Sequence, residues 1–154
     1  MFDITFDAHS MRKPREKKLA KLGQASEMNL RYGYFETDLT FTVGEFGSED
    51  LPGVTILDFI FCLLYAAREV RQGNVGEIGF TENDQVIRII PNGEIITVSR
   101  SWSKDSGDCG VDVFFAVVAR FCSDVLGFIV EQYPAFQENL ALSKLVSMLA
   151  EFQR

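Results

Sequence analysis

Carboxylates are the residues of this chain whose number and spacing could do chemistry. Residues 32–154 carry eighteen Asp or Glu against eight Lys or Arg, and two close pairs stand out, Glu82 with Asp84 and Asp105 with Asp108. Pairs of this kind can hold a hard cation or divide acid and base roles between them. A calcium loop needs more oxygen ligands in a fixed frame closed by a Glu, and neither pair sits in such a frame. Asp84 beside Asn83 has a turn role, and Asp112 has a helix-start role. Nucleophilic catalysis needs a base that titrates near neutrality and is held against the nucleophile. The one histidine, His9, lies in a charged N-terminal stretch. Cys62, Cys109 and Cys122 form no C-x-x-C pair and are too dispersed for a structural zinc. No GxGxxG or GxxxxGK[ST] motif cradles a phosphate. The expectation is a binding protein with no catalytic residues, cofactor or metal.

Trp102 sets the place where binding is expected. It ends a predicted strand beside the acidic loop SKDSGDCG. An indole beside carboxylates can anchor a basic partner. The candidate contact set is Glu82, Asp84, Trp102, Asp105 and Asp108, on turns and loops that flank predicted strands.

The elements that position these residues follow from hydropathy patterning. Phe35, Leu39, Phe41 and Val43 alternate with Glu36, Asp38, Thr40 and Thr42, which predicts a half-buried strand over 34–43. GEFGSEDLPG reads as a loop. Thr55-x-x-Asp58 resembles a capping box ahead of ILDFIFCLLYAAREVRQ, a helix apolar at nearly every position to Ala67 and ending near Gly73. Asn83-Asp84 and Pro91-Asn92-Gly93 divide the next stretch into a three-stranded antiparallel meander. A helix from about Asp112 runs to Pro134, and a last one from about Asn139 places Leu142, Leu145, Val146 and Leu149 on one face. The predicted fold is α+β: an antiparallel sheet of about four strands, ordered strand, helix, meander and two C-terminal helices, packed on one side by helices.

Charge divides the chain. Residues 1–31 hold seven Lys or Arg against four Asp or Glu, within a net charge of −7. Residues 1–28 are therefore expected to form a basic tail or extension, with Met28 as an alternative start, and 29–154 a single domain. An acid excess repels nucleic acid and anionic lipid and favours basic protein partners. The N-terminus lacks the apolar core of a secretory signal, and the longest uncharged run, Phe59 to Ala67, is too short to span a bilayer. Unpaired cysteines fit a reducing cytoplasm.

TILDFIFCLLYAAREV, GFTENDQVIRIIPNGEIITVS and FIVEQYPAFQENLAL, in that order within residues 34–149, resemble small bacterial immunity proteins encoded beside toxins of contact-dependent inhibition and other polymorphic toxin systems. The resemblance implies a cytoplasmic inhibitor that occludes a cognate toxin domain, a nuclease being one such basic target. It carries over no contact residues, because such families share mainly their core. The alternative is a structural or adaptor subunit, assembling through its apolar helices with itself or with another complex.

Overall fold

Alternating Thr and apolar residues build the first sheet. In the computed structural model, which describes residues 1–153, strand β2 (Glu36–Val43) turns the buried Leu39, Phe41 and Val43 inward. A short 3-10 turn at Gly44–Phe46 leads into β3 (Gly47–Thr55), antiparallel to β2. On the other side of β2 lies β1 (Phe2–Phe6), paired from Phe2 opposite Val43 to Phe6 opposite Leu39. The second sheet, in the order β4-β5-β6-β7, is antiparallel throughout: β4 (Gly76–Gly79), β5 (Val86–Asn92), β6 (Ile95–Arg100) and β7 (Ser106–Gly110). The tight connection from β5 to β6 places Gly93 at φ 66°, a left-handed conformation that glycine adopts without a Cβ penalty.

The α+β class is as predicted, and the meander forms where its turn residues place it. The strands are distributed differently. Two sheets of three and four strands replace a single sheet of about four. SEDLPG forms most of β3, and the loop after Trp102 contains β7. Both are edge strands, which need one row of backbone hydrogen bonds and little inward apolar surface.

The helices fill the space against these sheets. Helix α3 (Ile56–Arg71) has eleven buried residues among its sixteen and packs against β4 and against the helices α2 (Glu27–Gly33), α4 (Val111–Gln132) and α5 (Leu140–Ala150). Each large apolar side chain it removes from water stabilises the fold by about 1.5–3 kcal/mol. Thr55 is its N-cap residue, as predicted, but makes no side-chain cap hydrogen bond, and Asp58 is used elsewhere. The buried Asp58 Oδ1 accepts from Arg31 Nε at 2.7 Å, which ties α2 (Glu27–Gly33) to α3. Helix α4 (Val111–Gln132) packs Phe114, Phe121, Val125 and Ile129 inward, and α5 (Leu140–Ala150) closes the core with Leu142, Leu145 and Leu149. Asn139, fully buried, caps α5 through the Ala141 N–H and donates to Leu22 O at 2.7 Å and Ala25 O at 3.0 Å.

That clamp holds part of the segment expected to be a tail. Phe2, Ile4, Leu22 and Leu30 belong to the same hydrophobic core as the body, and no boundary falls at residue 28. The physical reason is the alternation in FDITF, whose apolar positions face the core while Asp3 and Thr5 face away. Between β1 and α2, the chain runs through the one-turn helix α1 (Glu16–Leu19). At the entry to β2, Phe35 takes φ 56°, rare for a bulky residue. Its ring is held in place by Tyr133 and Phe136, with centroids at 5.3 and 6.3 Å.

Candidate protein-binding surface

The outer strand of the first sheet meets the second sheet along a seam rich in acid. Glu49 lies opposite Phe41 in the β2–β3 register, so it faces inward and reaches the second sheet. There it accepts from Trp102 Nε1 at 2.9 Å and lies 3.1 Å from Arg100 Nη1. Arg100 is buried, with its guanidinium carbon 3.5 Å from the centroid of the Phe46 ring. Glu49 Oε2 and Arg100 Nε have no hydrogen-bond partner among the described residues, so charge and stacking hold the pair rather than aligned hydrogen bonds. A pair desolvated in this way contributes little net stability while both partners are present, but losing either one leaves a buried charge uncompensated. Nearer the hairpin turn, Glu45 Oε2 accepts from the Asp108 N–H at 3.1 Å.

The predicted contact residues distribute along this seam in two kinds. Trp102 is half-buried, its N–H taken by Glu49 and its ring edge-on to Phe80 at 6.2 Å, so it forms the seam instead of projecting as a free anchor. Asp108 stands on β7 with its carboxylate accepting from Thr97 Oγ1 at 2.8 Å. Glu82, Asp84 and Asp105 are exposed, and their carboxylates have no ion-pair or hydrogen-bond partner among the described residues. Glu82 is on the rim of a cavity of about 260 Å³ between Leu51–Thr55 of β3 and Phe80–Gln85, and Asp84 lies outside that rim. The side chain that organises this turn is Asn83, whose Oδ1 accepts from the Gln85 N–H at 2.9 Å, so the turn role assigned to Asp84 belongs to its neighbour.

Glu45, Glu49 and Arg100 belong to this seam without being singled out by the sequence pattern. One signal could have revealed the acids: residues 32–67 contain six Asp or Glu and no Lys or Arg. Asp50 accepts from Thr40 Oγ1 at 3.2 Å across the exposed face of the first sheet. Glu49, Asp50 and Asp108 hold negative charge on paired strands, where it loses little side-chain freedom on meeting a cation.

Other groups lie apart from the seam. His9 is exposed in a 3-10 turn, at Ala8–Ser10, that follows β1. No group of three or more His, Cys, Asp or Glu is placed to hold a metal ion among the described residues. Cys62 is half-buried, and Cys109 and Cys122 are buried. Burial pushes the Cys109 thiol up to about 11. Helix α4 is long and apolar enough to cross a membrane by length and composition, with a mean hydropathy of 2.1 over its most apolar window, 39% of which is buried inside the fold. The uncharged-run criterion overlooked it because Arg120 and Asp124 interrupt the run. No family model, characterised protein or solved structure matches this chain.

Proposed function

We propose that this chain is an immunity-type protein that binds a basic toxin domain through the acidic seam and blocks it by occlusion. The observation that carries the proposal is the set of exposed carboxylates without internal partners, Glu82, Asp84 and Asp105, on the two connections that flank the Phe80–Trp102 contact and the Trp102–Glu49 hydrogen bond. Free carboxylates on a rigid frame attract a cationic partner at long range and give up little internal bonding when they engage it. The resemblance of residues 34–149 to immunity proteins supplies the partner class. Three free thiols fit a cytoplasmic site of action.

The test is capture of the partner from the native cell at low and high salt, followed by binding measurements with Glu82→Lys/Asp84→Lys/Asp105→Lys. Recovery of a toxin domain that is lost at high salt, and bound at least ten-fold more weakly by the variant, supports the proposal. Recovery that resists salt and ignores the variant refutes it. The second reading, an adaptor assembling through its helices, is favoured by the exposure of Leu140 at 85% and Val146 at 51%. It predicts association that resists salt and is lost in Leu140→Glu/Val146→Glu.

A further inference from the structure

We propose that the basic surface of residues 12–33 binds single-stranded nucleic acid. The net charge of −7 conceals it: residues 12–21 contain six Lys or Arg and one Glu, against nine and twenty-one in the rest of the chain. All six cations are exposed. Arg12 pairs with Glu36, and Lys18 Nζ donates to Gly33 O at 2.7 Å. Lys13, Arg15, Lys17 and Lys21 have no ion-pair or hydrogen-bond partner for their side chains among the described residues, which leaves four cations free for phosphates.

Shape and stacking select the polyanion. Two hollows of about 390 and 480 Å³ flank Lys18, and Tyr32, Gly33 and Tyr34 line both. Tyr32 is 47% exposed, and the Arg31 guanidinium lies 5.5 Å from its ring centroid. A cation on one side of an exposed ring leaves the other side for a base, the combination by which strands are held without sequence readout. An anionic membrane would require an apolar face lying in the interface. Here α1 has only four residues, Leu19 is half-buried and Leu22 buried, and Met28 is the one strongly exposed aliphatic side chain. An acidic peptide would use the cations and leave Tyr32 idle.

The experiment is fluorescence anisotropy of a labelled oligouridylate titrated with the full chain. Binding is expected at low salt, with log affinity falling against log salt at a slope of roughly −3 for four phosphate contacts. Lys13→Glu/Lys17→Glu/Lys21→Glu should abolish it. Tyr32→Ala should weaken it about ten-fold at an unchanged salt slope, and Tyr32→Phe should restore it. Circular dichroism confirms that each variant is folded. No binding at low salt, or binding that survives the triple variant, overturns the proposal. Binding indifferent to Tyr32→Ala, together with sedimentation on phosphatidylserine vesicles, overturns it in favour of a membrane surface.

Discussion

Gly107 is the residue on which the seam depends most sharply. A Cβ added there would collide with Val43 Cγ1 and come within 2.9 Å of Glu45 Oε2. Val43 is fully buried in the first sheet and cannot turn aside. Gly107→Ala should therefore push β7 away from the hairpin and cost about 1–3 kcal/mol, read from urea unfolding. Full retention of stability would show that the two sheets are not tightly apposed there. Trp102 is the only tryptophan and touches both sheets, so its emission reports the seam directly.

The thiols give a second prediction at this scale. Burial raises Cys109 from an ordinary 9.0 to about 11, and raises Cys122 and Cys62 as well. A folded-state value above the unfolded one contributes stability that is complete below pH 9 and is lost as pH rises through 11. Alkaline melts should accordingly show a falling midpoint from pH 9 upward. Cys109→Ala/Cys122→Ala should flatten that fall, and an unchanged slope in the double variant would exclude the thiols as its source.

At the scale of elements, β1 gives the clearest test. A chain started at Met28 loses β1 and the buried Phe2, Ile4 and Leu22. At about 1.5–3 kcal/mol each, these three side chains approach the roughly 5–15 kcal/mol that holds an ordinary domain together. The shortened chain should fail to melt cooperatively, and a sharp thermal transition would show that residues 1–27 are dispensable. Legibility in the sequence follows the same physics. Helices α3, α4 and α5 could be read because their buried faces are wide and apolar, and β5 and β6 because turn residues bracket them. Strands β3 and β7 could not, since GSEDLPGVT and SGDCG show little inward hydrophobicity and are held chiefly by backbone pairing at a sheet edge. The alternation of β1 is present in FDITF but is only five residues long, and the basic run after it dominates the composition. For the candidate site, the exposed acids could be chosen from the sequence. The commitment of Trp102 to Glu49 could not, because their partnership spans 53 positions and depends on how two sheets meet.

Across the whole molecule, basic and acidic groups meet at the ends of β2. The basic segment is fastened at its Glu36 end, where the Arg12 N–H donates to Glu36 O at 2.8 Å, while Glu45 follows its Val43 end and Glu49 lies opposite Phe41. Eight extended residues separate the Glu45 end from the Glu36 end by roughly 25 Å, whereas Glu82 borders Leu51–Thr55, the part of β3 paired with the Glu36 end. The central claim is that the seam captures a cationic protein. Its most direct test is stopped-flow Trp102 fluorescence with the captured toxin domain, at low and high salt, for the native chain and for Glu82→Lys/Asp84→Lys/Asp105→Lys. The account predicts fast association that slows steeply with salt, and a variant slowed about ten-fold or more at low salt but little at high salt. An association rate indifferent to both salt and charge reversal, with no change in Trp102 emission, would contradict it.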